Sequence, residues 1–364
     1  MQFRYKKITV KIGSNVLAKA DGTLNVSRIA HLVDQIAFLR KSGVEVVVVS
    51  SGAVAAGRAV LEPVKKTDAV SQRQLWAALG QVKLISRYSD FFNEHHLVCA
   101  QVLTTKENFS SRGHYLNMKN CIETLLENKV IPIVNENDTI SVTELMFTDN
   151  DELSGLIASM VNSEALILLS NVDGVFTTHP NDANAKLIQN IEFDEKEPED
   201  AISEEQSDFG RGGMLTKFRI AQKVAGDGIG VHVANGTKEN VLVDLLDIGK
   251  DLKHTHFVPN TKSYNDVRKW IGYSDGFAKG QVVINEGAIH ALNSDRAVSL
   301  LPVGIIEVKT KFKKGDLIKI VDQSGGIVGV GKAAYDSEQV DTEKASEKQK
   351  PIVHYDYLYL ENKK

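Results

Sequence analysis

Short runs of apolar, often β-branched residues alternate with longer amphipathic segments over most of the chain. The short runs are apolar on both faces, which is typical of strands buried inside a parallel sheet. The longer segments repeat their apolar positions with helical spacing. The predicted strands are 7–12, 44–50, 97–104, 130–135, 165–170 and 230–235, and the predicted helices are 26–41, 71–94, 114–128, 151–162 and 216–226. This alternation predicts an α/β/α sandwich with a mainly parallel sheet.

From residue 275 the pattern changes to short strands separated by Gly-Asp and Gly-Gly turns, which predicts a small β-rich domain. We therefore expect a first domain over 1–255, a connector over 256–274 and a second domain over 275–364. The stretch 194–208 is too densely charged for a core. We expect it to be an exposed excursion of the first domain.

Composition narrows the function classes. The 364 residues are 42% hydrophobic and 25% charged, and the net charge of −4 gives no general attraction to nucleic acid or anionic membranes. No apolar run reaches the roughly 18 residues that span a bilayer. Two cysteines are too few for a disulfide framework or a zinc site. These features, and a start that lacks the pattern of a signal peptide, predict a cytoplasmic protein.

Five predicted strands run directly into small or polar residues. The junctions are VKI-GSN, VVS-SGAVAAG, PIV-NEND, LLS-NVDG and HVA-NGTK. Open α/β sheets bind ligands beyond the carboxyl ends of their strands, so these junctions predict one ligand-binding edge. The third junction opens the stretch 134–155, which is dense in carboxylate and amide side chains. A solvated loop is the structural alternative for this stretch.

Two lysines on glycine-bearing segments point to an anionic ligand. Lys11 lies in an otherwise apolar strand just before Gly13, where an uncompensated ammonium is costly. Lys217 follows the turn FGRGGMLTK at a predicted helix start, an arrangement that binds phosphate. A flexible loop before an ordinary helix is the alternative for this second segment. Together the two cations suit a polyphosphate whose charge must be stabilised during transfer.

The acidic stretch suits Mg²⁺ coordination or a substrate ammonium group. No histidine is placed to act as a base. A carboxylate acceptor with a pKa of about 4.3 is already ionised at neutral pH, however, and needs no base. The residues therefore predict a kinase that forms an acyl phosphate. The pairs His95-His96 and His254-x-His256 have no third ligand at a recognisable spacing, and we assign no protein-bound metal.

The motifs VKIGSNVL, VVSSGAVAAGR, LWAALGQ, PIVNEND, TDNDELSGLIASMVNSEALILLSNVDGVF and GRGGMLTK resemble, in order and spacing, the amino acid kinase family. The resemblance covers residues 8–236 and is closest to the branch that acts on free glutamate. The β-rich tail resembles the PUA domain often fused to that branch. The resemblance implies ATP-dependent phosphorylation of the L-glutamate γ-carboxylate, the first step of proline biosynthesis. It also implies ATP and Mg²⁺ as cofactors, with Mg²⁺ held mainly by the ATP phosphates.

Carried over by the resemblance, Lys11 and Lys217 neutralise the transferring phosphoryl group and Asp151 organises these lysines. The residues implied for glutamate binding are Ser51, Gly52, Asn135, Asp138, Asp149 and Asn150. Those implied for nucleotide binding are Lys11, Gly13, Ser170, Asn171, Arg211, Gly212, Gly213, Met214, Leu215, Thr216 and Lys217.

The resemblance also implies L-proline as an inhibitor and a homo-oligomer, either a dimer or a tetramer. Two alternatives stay open. The first is a related kinase for N-acetylglutamate or aspartate, although only free glutamate offers an ammonium to the acidic cluster. The second is RNA binding by the PUA-like tail. Residues 275–364 hold 13 Lys plus Arg and 13 Asp plus Glu, which favours a regulatory or assembly role and makes a nucleic acid partner unexpected. No membrane partner is expected.

Overall fold

The structure is a computed structural model that describes residues 1–61, 68–109, 111–140, 150–180, 182, 184–195, 213–261, 266–273, 277–294, 298–340 and 350–360. The chain divides into two compact units. The first comprises Met1–Asn108 and Leu116–Lys262, and the second comprises Phe109–Tyr115 and Ser263–Lys364. Most of the excursion that we expected over 194–208 lies outside the described residues.

The first unit contains eight strands and eight helices among its described residues, although the first four residues of the helix Arg112–Glu127 belong to the second unit. The strands are β1 (Lys7–Ile12), β2 (Glu45–Ser50), β3 (Cys99–Thr104), β4 (Ile131–Glu136), β5 (Ala165–Ser170), β6 (Asn190–Glu192), β7 (Gly230–Asn235) and β8 (Thr255–Val258). The helices are α1 (Ser14–Leu17), α2 (Val26–Lys41), α3 (Ala53–Arg58), α4 (Ala69–Glu94), α5 (Arg112–Glu127), α6 (Asn150–Met160), α7 (Met214–Gly226) and α8 (Val241–Leu246). A 3₁₀ turn covers Lys106–Phe109.

The strands form one sheet in the order β3-β4-β2-β1-β5-β7-β8-β6. The pairings from β3 to β7 are parallel, and β8 runs antiparallel to β7. The chain passes from β1 to β2 and on to the edge strand β3, then inserts β4 between β2 and β3, and finally places β5 on the other side of β1. Such a reversal opens a crevice at the carboxyl ends of the strands. The predicted mainly parallel sheet is confirmed.

The two faces of β1 carry different side chains. Ile8, Val10 and Ile12 belong to a hydrophobic core with α2, α4 and α8. Because successive strand residues point to opposite faces, Thr9 and Lys11 lie on the other face. There Thr9 Oγ1 lies 2.8 Å from Ser163 Oγ, just beyond α6. Helices therefore cover both faces, which makes the first unit the expected sandwich, and Lys11 is buried on the α6 side.

Helices α3 and α4 pack backbone against backbone. A Cβ atom added at Gly57 would lie 1.9 Å from the carbonyl oxygen of Trp76, and one added at Gly80 would lie 1.7 Å from that of Ala53. Real Cβ atoms do not approach so closely, so glycine is required at both positions. The contact fixes the first half of α4 against α3, which begins directly at the carboxyl end of β2.

Strands β7 and β8 bring three histidines together beside Tyr5. The rings of His232 and His256 stack with centroids 4.5 Å apart, and His232 Nδ1 lies 3.0 Å from His254 Nε2. A hydrogen bond of 2.8 Å joins the Tyr5 hydroxyl to His232 Nε2. Burial lowers the pKa of all three histidines, and the nearby charge of Arg4 lowers it further. Repulsion from neighbouring histidines also lowers the pKa of His232 and His256. His256 lies in β8, inside the segment 256–274 that we expected to be the connector, and His254 directly precedes that strand.

The second unit is built around a five-stranded sheet. Its strands are β9 (Gly280–Ile284), β10 (Ile305–Thr310), β11 (Leu317–Val321), β12 (Ile327–Ala333) and β13 (Val353–Leu360), in the order β10-β9-β11-β12-β13. Its helices are α9 (Asp266–Gly272) and α10 (Glu286–Leu292), with 3₁₀ turns at Pro302–Gly304 and Ser337–Gln339. A separate apolar core, which includes Val282, Ile318, Ile320 and Val353, lies on this sheet. The predicted β-rich tail is confirmed.

The predicted elements differ from the structure mainly in two respects. Short helices lie where we predicted only strand exits or turns (α1, α3 and α8), and the short strands β6 and β8 extend the first sheet, with β8 entering the segment expected to be the connector. Among the described residues, no helix is both long and apolar enough to cross a membrane.

Candidate active site

The carboxyl ends of five parallel strands lie at the same sheet edge. Strand β1 leads into Gly13 and β2 into Ser51, while Asn135 lies near the end of β4. Strands β5 and β7 end at Ser170 and Asn235. The register of the parallel pairs aligns these ends, since Ile12 pairs with Ser50 on one side and with Leu169 on the other.

Asp151 bridges the two predicted phosphate-binding lysines. Lys11 Nζ lies 2.5 Å from Asp151 Oδ1, and Lys217 Nζ lies 3.0 Å from Asp151 Oδ2. The Asp151 side chain is 1% exposed, against 6% for Lys11 and 12% for Lys217. Residues from β1, α6 and α7, separated by up to 206 positions in the chain (217 minus 11), therefore meet in one buried ionic centre.

The charge state of this centre is fixed by its own members. Burial alone would raise the pKa of Asp151, but the ammonium groups of Lys11 and Lys217 outweigh burial and hold the pKa far below its usual value. Asp151 also lies in the first turn of α6, where the helix dipole favours a negative charge. Two lysines against one carboxylate leave the centre with one formal positive charge, suited to an anionic ligand.

Glycines make room around the lysines. A Cβ atom at Gly13 would lie 3.0 Å from the Leu169 carbonyl oxygen and 3.5 Å from Lys11 Nζ, so a side chain there would crowd the ammonium. Gly213 is the extended residue that precedes α7, which places Lys217 in the first turn of that helix. Arg211 and Gly212, both predicted to bind nucleotide, lie outside the described residues.

On the other side of Asp151, Asn150 joins the ends of two strands, β2 and β4. Its Nδ2 donates to Ser51 Oγ at 2.9 Å, to Asn135 Oδ1 at 3.1 Å and to the Ser50 carbonyl oxygen at 3.4 Å. Gly52 follows with a φ of 101°, a left-handed conformation that starts α3 and favours glycine. The structure thus brings together four of the residues predicted to bind glutamate.

Asp138 lies beyond the end of β4 and is paired with a residue that the sequence did not suggest. Arg73 Nη2 of α4 donates to Asp138 Oδ1 at 2.8 Å. The Asp138 side chain is 8% exposed and that of Arg73 is 34% exposed. Asp149, the remaining predicted glutamate contact, lies outside the described residues.

The predicted nucleotide side is more open. Ser170 is buried at the end of β5, and its hydroxyl donates to Asn171 Oδ1 at 3.3 Å. Asn171 is exposed. The remaining predicted nucleotide contacts form the half-buried first turn of α7: Met214, Leu215 and Thr216.

Two further charged residues lie at this side of the edge. Lys238 Nζ lies 2.8 Å from Asp173 Oδ1, which also accepts a hydrogen bond of 3.0 Å from Asn235 Nδ2. Burial would raise the pKa of Asp173, but these two donors lower it. The junction HVA-NGTK contains both Asn235 and Lys238. The pattern of strands that run into polar residues could therefore have identified both as candidate site residues.

The geometry suits transfer of a phosphoryl group to an acceptor that is already charged. Two fixed ammonium groups can stabilise charge that develops during transfer. Among the described residues, no group of three histidine, cysteine or acidic side chains could hold a metal ion, and both Asp151 oxygens face lysines. These residues therefore offer no protein cage for Mg²⁺.

Comparison with known proteins agrees with this geometry. Residues 6–235 match the model of the amino acid kinase family, and residues 280–352 match that of the PUA domain. The chain is 56% identical to glutamate 5-kinase of Bacteroides thetaiotaomicron, over 99% of this chain and 100% of the relative. It is 46% identical to glutamate 5-kinase of Chlorobaculum tepidum, over 98% of both chains.

One solved structure reproduces the fold at low sequence identity. The product complex of isopentenyl phosphate kinase from T. acidophilum superposes with a TM-score of 0.50 at 16% identity. The match covers 69% of this chain and 99% of that one. At this identity, the likeness concerns the fold of the first unit and not the substrate.

Proposed function

Because the chain belongs to the amino acid kinase family, we propose that it transfers the γ-phosphoryl group of ATP to the γ-carboxylate of L-glutamate. The products are L-glutamyl 5-phosphate and ADP, and the reaction is the first step of proline biosynthesis. The observation that carries the proposal is the buried Lys11–Asp151–Lys217 centre beside the Asn150 network. The relatives that match nearly the whole chain are glutamate 5-kinases.

In the proposed reaction, a γ-carboxylate oxygen forms a bond to the γ-phosphorus as the bond to the bridging oxygen of ADP breaks. The acceptor is ionised at neutral pH, so no side chain has to remove a proton. Lys11 and Lys217 stabilise the charge on the transferring group. Asp151 holds both ammonium groups in place and stays ionised because they lower its pKa. The protein's role is positioning and electrostatic stabilisation.

Mg²⁺ belongs to this proposal as the partner of ATP. When bound, it neutralises charge on the phosphates. The described residues hold no cluster of three ligating side chains, so we assign the ion to the phosphate oxygens and derive no step through it.

The same pocket is proposed to bind the regulator L-proline, which shares with glutamate an α-carboxylate and a cationic nitrogen. Inhibition through Ser51, Asp138 and Asn150 would be competitive with glutamate and not with ATP. We further propose a cytoplasmic homo-oligomer. Val98 and Leu103 support oligomerisation, because these large aliphatic side chains are exposed at the edge strand β3. Val82 of α4 is a further exposed aliphatic side chain.

One assay tests the proposed activity. Purified full-length protein is supplied with MgATP and, in separate reactions, with L-glutamate, N-acetylglutamate, L-aspartate or UMP. Hydroxylamine traps any acyl phosphate as a hydroxamate. We expect glutamate-dependent hydroxamate and ADP in equal amounts, and far slower turnover of the other acceptors. Preferential turnover of N-acetylglutamate or aspartate would overturn the proposed substrate.

A further inference from the structure

Arg73 occupies a place that none of the sequence motifs pointed to. It projects from the early part of α4 and pairs with Asp138, a residue buried beyond the end of β4. The pair consists of one negative and one positive group in direct contact at the ligand-binding edge. Arg73 Nη2 lies 2.8 Å from Asp138 Oδ1.

The scaffold holds Arg73 in position at several points. The close contact of Gly57 and Gly80 locks α4 against α3. Gln74 Nε2 donates to the Thr139 carbonyl oxygen at 2.8 Å, which fastens α4 to the exit of β4. Gln81, two turns further along α4, donates to the Glu136 carbonyl oxygen at 3.3 Å. Arg73 is therefore a fixed part of the pocket wall and not a loose surface charge.

One hydrogen-bond donor of the Arg73 guanidinium group is unused. Its Nε is buried and has no hydrogen-bond partner among the described residues. A buried donor without a partner loses its hydrogen bonds to water and gains none in return, which is unfavourable. A guanidinium presents its donors as a planar fork that matches the two oxygens of a carboxylate. A carboxylate ligand would satisfy the idle Nε.

We infer that Arg73 binds the α-carboxylate of the amino acid substrate while Asp138 binds its α-ammonium. This inference rests on the proposed function. The two charges of a free amino acid sit on one carbon atom, so an arginine and an aspartate in contact form their natural complement. Without substrate, the two side chains neutralise each other. With substrate, each exchanges its partner for a group of the same charge, and no charge in the pocket is left unpaired.

The inference explains selectivity for free amino acids. An N-acetylated substrate lacks the ammonium and would leave Asp138 and Arg73 paired with each other. A substrate whose α-carboxylate is an amide would keep the ammonium but lose the fork of Arg73. Glutamate and its α-amide carry the same γ-carboxylate, so their comparison isolates the α-carboxylate contact.

The test measures kcat/KM for L-glutamate and for its α-amide, isoglutamine, in the wild type and in Arg73→Gln and Arg73→Lys. Charge-assisted hydrogen bonds contribute about 1.5–3 kcal/mol, so Arg73→Gln should lower kcat/KM for glutamate about 10- to 100-fold. The same variant should change turnover of isoglutamine much less. KM for ATP should stay unchanged, and Arg73→Lys should recover part of the preference for glutamate.

Arg87→Gln is the matched control, because Arg87 lies on the same helix, is 50% exposed and pairs only loosely with Asp90 at 3.9 Å. It should leave both substrates unaffected, and thermal melting verifies that all variants fold. Equal losses for glutamate and isoglutamine in Arg73→Gln would overturn the inference and leave Arg73 as a support for Asp138. Absence of glutamate turnover in the wild type would instead refute the proposed function itself.

Discussion

Two aspartates at the same sheet edge are paired with cations in opposite ways. Asp151 is 1% exposed and holds a lysine against each oxygen. Asp138 holds one arginine against one oxygen, and that arginine is 34% exposed. The first pair of contacts crosses from α6 to β1 and α7, while the second joins only α4 to the end of β4.

The difference corresponds to two tasks. Charge that appears only during phosphoryl transfer is best met by groups that are already fixed and dry, since they need no rearrangement. A substrate that arrives and leaves requires groups that can change partners, and partial exposure makes that exchange inexpensive. Under the proposed function, the Asp151 centre would serve transfer and the Asp138–Arg73 pair would serve recognition. The variants below test whether the two can be separated.

The largest effect should come from Lys217→Ala, which removes one cation of the transfer centre. Losing one such stabiliser commonly lowers the rate on the order of 10²–10³-fold, and we expect this loss in kcat with little change in KM for glutamate. Steady-state kinetics with both substrates varied provide the measurement. Lys223→Ala at the other end of α7 is the control. A variant that kept most of its kcat would reduce Lys217 to a helix-start cation.

Asp138→Asn should affect recognition alone. We expect KM for glutamate to rise about 10- to 100-fold, the range of one charge-assisted hydrogen bond, while KM for ATP is unchanged. Sensitivity to proline should weaken in parallel, because the two ligands would share the pocket. Inhibition curves at several glutamate concentrations measure both effects. A matching loss of ATP affinity would assign Asp138 to the nucleotide side and break the comparison.

Gly80→Ala should weaken glutamate binding indirectly, because it shifts α4, the helix that carries Arg73. Its new methyl group would lie 1.7 Å from the Ala53 carbonyl oxygen, so α3 and α4 must separate. Overpacking of this kind typically costs about 1–3 kcal/mol of unfolding free energy, and we also expect a raised KM for glutamate. Urea unfolding and kinetics measure the two effects. Gly113→Ala in α5 is the control, since nothing lies within 4 Å of its added Cβ.

The smallest effect concerns pH. The pKa values of His232, His254 and His256 are lowered in the folded chain, so near and below the usual histidine value of 6.5 the unfolded chain binds more protons. Stability should therefore fall as pH drops from 7 to 5. Asp151, with its pKa lowered from 3.8, stays ionised across that window and contributes nothing to the slope. His256→Gln should flatten the melting temperature against pH, whereas His31→Gln, at an exposed site on α2, should not.

Sequence patterns located most of the fold. The strands 7–12, 165–170 and 230–235 and the helix 26–41 coincide with the observed elements. These elements carry an apolar pattern strong enough to define them locally. Helix α3 was missed because its six residues are too few to show a helical repeat of apolar positions, and its packing against α4 fixes it in the fold. Strand β8 was missed because its four residues are few and begin with the polar pair Thr255 and His256, which are buried or half-buried where β8 pairs with β7.

The site residues divide in the same way, into those predictable from local sequence patterns and those that depend on tertiary packing. Lys11, Asp151 and Lys217 could be named from motifs, and the structure places them in contact. Arg73 could not be named, because an arginine on an amphipathic helix looks like an ordinary solvated charge. Its partner lies 65 positions away, and only the packing of α3 and α4 reveals that the two meet. Pairings created by tertiary contacts leave no local trace in the chain.

The second compact unit is assembled from two separate stretches of chain. Phe109–Tyr115 interrupts the first unit and belongs with the C-terminal residues, and the buried indole of Trp270 donates to the Phe109 carbonyl oxygen at 2.9 Å. The stretch that matches the PUA domain is therefore shorter than the piece that folds. Phe109–Tyr115 is synthesised early, but the unit to which it belongs can be completed only after the last strand has been made. A C-terminal fragment transplanted on its own would lack Phe109–Tyr115. The stretch that matches the PUA domain and the compact unit are therefore not the same set of residues.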